Sequence, residues 1–170
     1  MLKRTVITLL ITLLLLPAAY AKFPRPLAPV NINMSGGKKM QLSSYKGKVV
    51  LFAIIATSCE HCINSLDVLK RAQQSFGPQG FQVVVAIGDP NGPYLLQPFT
   101  QRYKLTFPVG YLDQEGIQKI ADVPEGKRPF VPIYMFIDRK GTVKFQFYGD
   151  EPFFKDEEKT TRVIIENMVK

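Results

Sequence analysis

Cys59-Glu60-His61-Cys62 is where this chain carries reactive side chains at a spacing that does chemistry. The two cysteines are the only ones in 170 residues, and His61 is the only histidine. On a helix, residues three apart lie on one face, so Cys62 would sit one turn behind Cys59 and close enough to form a disulfide with it. A thiolate at Cys59 attacks a client disulfide to give a mixed disulfide, which Cys62 then resolves. That division of labour needs a first sulfur that is exposed and acidic and a second that is covered and near. His61, as a cation near the sulfur, would stabilise the thiolate and with it the reduced pair, making the disulfide more oxidising. Glu60 opposes this unless it faces solvent.

Other uses of the same residues fit less well. A structural disulfide closing a four-residue loop contributes about 2 kcal/mol at most. Zinc needs four ligands, or three and a water, and Cys59, His61 and Cys62 are too close along the chain to surround an ion. Covalent haem needs a histidine directly after the second cysteine, where Ile63 stands. Neither a metal nor any other cofactor is expected.

The surrounding elements place the pair. Lys48 to Ile55 is a nearly unbroken apolar run, as in a central strand covered on both faces. From Glu60 to Phe76, Cys62, Leu66, Leu69 and Phe76 recur at helical spacing, and Gly77-Pro78-Gln79-Gly80 ends the helix. Cys59 therefore falls at a helix start, where free backbone N–H groups and the helix dipole favour negative charge. The thiolate is the nucleophilic form. Phe81 to Ile87 reads as a second buried strand, and the crossover is long enough for parallel pairing.

Before the motif, Lys22 to Pro29 reads as an extended lead-in, and Val30 to Met34 with Lys39 to Leu42 as a hairpin across Ser35-Gly36-Gly37. After it come a helix over Tyr94 to Tyr103 despite Pro98, a short strand at Phe107 to Tyr111, and a helix over Gln114 to Val123. Ile133 to Ile137 and Thr142 to Tyr148 form an antiparallel pair, with Val143, Phe145 and Phe147 alternating against Lys144 and Gln146. A terminal helix over Asp156 to Lys170 puts Val163, Ile164 and Met168 on its buried side. The expected fold is α/β, a mixed central sheet with helices on both faces and an N-terminal β-hairpin extension.

Residues 1–21 read as an export signal, leaving one domain over 22–170. Lys3 and Arg4 precede an apolar run from Val6 to Leu16, and Ala19-Tyr20-Ala21 has the small-x-small pattern of a cleavage site. The run has 11 residues, against about 20 for a spanning helix, so cleavage after Ala21 is favoured over an uncleaved anchor. The expected location is periplasmic or otherwise extracytoplasmic. Net charge is +8, or +6 without Lys3 and Arg4. The basic residues are scattered, which argues for a solvated surface and against nucleic acid as partner.

Taken together, Tyr45-Lys46-Gly47-Lys48-Val49-Val50-Leu51, the Cys59–Cys62 site, Phe107-Pro108-Val109, Val131-Pro132 and Phe136-Ile137-Asp138-Arg139-Lys140-Gly141 resemble the thioredoxin superfamily. The resemblance is to its exported TlpA/ResA-like branch of disulfide reductases, from about Pro29 to the C-terminus. It implies a thioredoxin-like fold, thiol–disulfide oxidoreductase activity on protein substrates, a membrane or extracytoplasmic redox partner, and a monomer. It also implies that Pro132 is the family's cis-proline, facing the pair, with Val131 and Pro132 holding client backbone.

Glu60 is similar to the C-E-P-C site of cytochrome c-maturation reductases, and His61 to the C-P-H-C site of DsbA-like oxidants. The chain departs from the family at Ser58 and Ile55, where tryptophans are common. It departs again at Ala53, where thioredoxins bury an acid, and at Ser65, where cytochrome-maturation members carry glutamate. Peroxiredoxins share the fold, but their P-x-x-x-T-x-x-C signature is matched neither by Phe52 and Ala56 before Cys59 nor by Ile55 and Cys59 before Cys62. A non-catalytic binding module or a copper chaperone is the alternative. The first would be expected to lose a cysteine or Pro132; the second expects C-x-x-x-C and a distal histidine.

Overall fold

The computed structural model describes residues 23–124 and 126–170; the expected export signal, residues 1–21, lies outside them. Along the chain the elements are β1 (Arg25–Pro26), β2 (Ile32–Asn33), β3 (Lys39–Met40), β4 (Val49–Ile55), α1 (Glu60–Phe76), β5 (Phe81–Ile87), α2 (Gly92–Arg102), β6 (Val109–Tyr111), α3 (Gln114–Ala121), β7 (Ile133–Ile137), β8 (Thr142–Phe147) and α4 (Glu157–Val169). The strands form one mixed sheet in the order β1-β8-β7-β4-β5-β6-β2-β3.

All seven residues of β4 are buried, which is why its sequence shows no alternation. It pairs in parallel with β5, from Val49 opposite Phe81 to Ile55 opposite Ile87, and α1 makes the crossover between them. On its other side β7 runs antiparallel, from Val50 opposite Ile137 to Ile54 opposite Ile133. Leu51, Ala53 and Ile55 face a core built with Leu66 and Leu69 of α1, Leu96 and Phe99 of α2, and Ile165 of α4. Val50, Phe52 and Ile54 face the opposite core, with Ile117 and Ile120 of α3 and Ile32 and Leu42 of the N-terminal segment.

The hairpin of β2 and β3 joins the sheet where Asn33 pairs with Tyr111. Gly110 permits this close approach: a Cβ there would lie 2.5 Å from Ile32 Cγ2 and 2.7 Å from the Asn33 carbonyl oxygen. Helix α2 continues through Pro98. The carbonyl that loses its partner belongs to Tyr94, which is exposed.

Three expectations are corrected. Arg25–Pro26 is not a free lead-in but an edge strand on β8, with Arg25 opposite Val143. The alternation along β8 breaks because Phe145 pairs with Phe136 while Val143 pairs with Ile137, leaving Lys144 as an extra residue in a bulge. Phe145 is consequently exposed and Gln146 buried. The Gln146 amide is satisfied there, accepting from the Arg25 guanidinium at 2.6 Å and donating to the Ala121 carbonyl at 2.8 Å. Finally, Val163 of α4 is exposed; Thr161 and Ile165 take the buried positions, with Ile164 and Met168 partly covered.

Candidate active site

The chain leaves β4 at Ile55 and turns into α1 within four residues, Ala56 to Cys59. Two hydrogen bonds hold the turn: the Thr57 N–H donates to Asp89 Oδ2 at 2.8 Å, and the Cys59 N–H to the Ala56 carbonyl at 3.2 Å. Cys59 has extended backbone and caps the helix through its sulfur, which accepts the Cys62 N–H at 3.1 Å. A serine or aspartate oxygen usually fills this position. Here the group receiving the helix-start N–H is the sulfur that would carry the negative charge.

Cys59 is partly exposed and Cys62 fully buried, and both are free thiols. Burial pushes the Cys62 thiol far above its ordinary range, and the neighbouring Cys59 sulfur adds to the effect. Glu60 faces solvent, which limits its opposition to a thiolate at Cys59. His61 is turned the other way: its ring meets Phe154 edge-on at 5.0 Å, and Nε2 lies 3.9 Å from Glu157 Oε2.

The loop before β7 faces the pair. The Val131–Pro132 bond is cis, and the Cys59 thiol points to the Val131 carbonyl oxygen at 3.8 Å. Gly149, a residue that sequence reasoning passed over, packs directly on this peptide. A Cβ at Gly149 would fall on the Val131 carbonyl, 2.6 Å from its carbon and 3.0 Å from the Pro132 nitrogen. The Gly149 N–H donates to the Phe130 carbonyl at 3.0 Å, tying β8's end to the loop. Val131 and Pro132 are thus brought beside Cys59, with Cys62 one turn behind it, while Glu60 faces solvent and His61 packs between Phe154 and Glu157.

Behind Cys62 lies a second feature that sequence reasoning missed. Ser65, one turn further along α1, donates its hydroxyl to Glu157 Oε2 at 2.9 Å. The Tyr134 hydroxyl of β7 donates to Glu157 Oε1 at 2.6 Å. Ser65 and Tyr134 are fully buried, and the Glu157 side chain is 11% exposed. Burial first, then the Glu157 carboxylate, pushes the Tyr134 phenol well above its ordinary range, so it stays a donor. One sign was available in the sequence. Tyr134 is the only polar residue in the run Ile133 to Ile137, and a buried tyrosine hydroxyl needs a partner. Nothing marked Glu157 apart from Asp156 and Glu158 beside it.

With this geometry in place, known proteins are informative. The chain is 25% identical over 117 residues to the thiol-disulfide oxidoreductase ResA of Bacillus thuringiensis subsp. konkukian, and 25% over 115 residues to that of Bacillus anthracis. Each match covers 68% of this chain and 63% of the relative's length. Among solved structures, a thioredoxin family thiol:disulfide interchange protein from Chlorobium tepidum superposes with a TM-score of 0.67 at 21% identity, covering 86% of this chain and 99% of that one. The thioredoxin domain of a thiol-disulfide oxidoreductase from Bacteroides vulgatus gives 0.65 at 18% identity, covering 85% and 99%. These likenesses establish a thioredoxin-like fold. The Redoxin family matches residues 24–164, nearly all of the described chain, and the protein belongs to that family.

Proposed function

We propose that this protein is an extracytoplasmic thiol–disulfide oxidoreductase that exchanges disulfides with protein clients through Cys59 and Cys62. One observation carries the reading: a partly exposed sulfur receives the helix-start N–H at 3.1 Å, with a second, fully buried sulfur one turn behind it. Cys59 is the attacking thiol and Cys62 the resolving one. The similarity to ResA proteins named for this activity supports the reading.

Val131 and Pro132 receive the client. The Val131 carbonyl lies beside Cys59, so an extended client segment laid along the loop would bond to main chain and bring its disulfide to the sulfur. Recognition through backbone tolerates many client sequences. Residues 1–21 act as the export signal, cleaved after Ala21. The mature chain works as a monomer, re-reduced or re-oxidised by a membrane or extracytoplasmic redox partner.

The experiment is a trap. Cys62→Ser, incubated with a disulfide-bonded protein, should accumulate a mixed disulfide on Cys59, whereas Cys59→Ser should form none and lose exchange altogether. In the reduced wild type, Cys59 should alkylate far faster than Cys62. Equal alkylation rates, or trapping by both variants, would count against the assigned roles.

A further inference from the structure

We infer that Glu157 is the proton acceptor for Cys62 in the resolving step, reached through the Tyr134 and Ser65 hydroxyls. This rests on the exchange activity proposed above and adds a residue from the far end of the chain to it. Glu157 does not touch the sulfurs, so it is a positioning residue for the reaction.

The resolving step poses a definite problem. In the mixed disulfide, Cys59 Sγ is bonded to a client sulfur. The Cys62 S–H must give up its proton before its electron pair can attack Cys59 Sγ. The Cys59–Cys62 bond then forms, the Cys59–client bond breaks, and the client sulfur leaves as a thiolate that takes a proton from solvent. The pair is oxidised and the client disulfide reduced to two thiols. Cys62 is fully buried, and burial opposes its ionisation. Water cannot reach that proton directly, so the protein must supply a route.

The cluster behind Cys62 is built as such a route. Ser65 stands one turn beyond Cys62 on α1, and Tyr134 lies near enough for the Cys62 charge to act on its phenol. Both hydroxyls donate to the two oxygens of one carboxylate, at 2.9 and 2.6 Å. A hydroxyl that donates to a carboxylate can accept at its oxygen, so a proton arriving at either one passes on to Glu157. The outlet follows from exposure: Glu157 is 11% exposed, and His61, 3.9 Å away, is 39% exposed. A proton received inside leaves along His61 to water.

The titratable groups facing Glu157 are His61 from α1 and Tyr134 from β7, and Cys62 acts on Tyr134 in turn. On its own side, Glu158 is turned to Arg71 at 2.8 Å, while Lys155, Asp156 and Lys159 are exposed. The relay needs a carboxylate oxygen free to take up the proton that either hydroxyl passes on.

Reduced full-length protein mixed rapidly with oxidised glutathione tests the proposal, following first mixed-disulfide formation on Cys59 and then glutathione release by Cys62. Glu157→Gln keeps groups able to bond both hydroxyls but cannot take up the proton. General-base catalysis typically contributes 10²-fold or more, so the ratio of resolving to formation rate should fall about 10²-fold, with the resolving rate becoming proportional to hydroxide. Tyr134→Phe cuts one of the two links and should lower the same ratio by less. The inference is overturned if both variants keep the wild-type ratio and pH profile. It is also overturned if formation and resolution fall together in Glu157→Gln, which marks a structural role. If the wild type itself forms no mixed disulfide on Cys59, the exchange activity fails instead.

Discussion

At the residue scale, Cys59 caps α1 through its own sulfur, and Cys62 lies fully buried one turn behind it. Cys59 and Cys62 declare themselves because three-residue spacing at a strand-to-helix junction has few other uses. Glu157 does not, because 95 positions separate it from Cys62 in the chain, and only packing of α4 against α1 brings the two regions together. His61 shows the limit of local reasoning. Adjacency in sequence names the neighbouring sulfur as its partner, but only the fold adds Phe154 at 5.0 Å and Glu157 at 3.9 Å. Replacing Tyr134 by Phe should also register in stability, because it removes one hydrogen bond to a charged group. A loss of about 1.5–3 kcal/mol is expected, read from denaturant midpoints.

At the element scale, the sequence is most legible where an element is buried on a uniform pattern. Strand β4, covered on both faces, shows as an unbroken apolar run, and α1 shows its buried face through Leu66 and Leu69. The bulge at Lys144 was invisible because register belongs to the pair of strands rather than to either one. The same holds for β1, whose two residues become a strand only by lying on β8. Gly149 is the element-scale test of the site. Gly149→Ala forces a methyl group onto the Val131–Pro132 peptide and should cost about 1–3 kcal/mol, with exchange on protein clients falling. Asp113→Ala is its control. It removes the α3 cap, where Asp113 Oδ1 accepts the Gly116 N–H at 2.8 Å, and should cost about 1 kcal/mol. Helix α3 packs on the sheet face away from Cys62, so exchange should persist. Melting curves and client reduction rates for the two variants, measured side by side, check both.

At the scale of the whole molecule, the buried thiol couples redox state to stability. The folded chain holds the Cys62 proton well above the ordinary thiol value of 9.0. Above that value the unfolded chain loses this proton while the folded chain keeps it, so the folded state binds more protons. Stability of the reduced protein is therefore level below about pH 9 and falls as pH rises, by about 1.4 kcal/mol per pH unit for one group. Tyr134, raised from 10.0 by burial, adds a second loss at higher pH. Denaturant midpoints of reduced wild type and Cys62→Ala across this range should diverge, with the variant lacking the first slope. The molecule then reads as a thioredoxin-like sheet that sets one sulfur at a helix start, covers the other, and places the cis Val131–Pro132 peptide across from the first. Exchange through the pair is tested most directly by its stoichiometry. Reduced protein is mixed with a disulfide-bonded client, and the Cys59–Cys62 peptide is analysed by mass alongside client thiols. One Cys59–Cys62 disulfide should form for each client disulfide reduced. Client thiols without that disulfide, or a pair that stays fully reduced, would contradict the account.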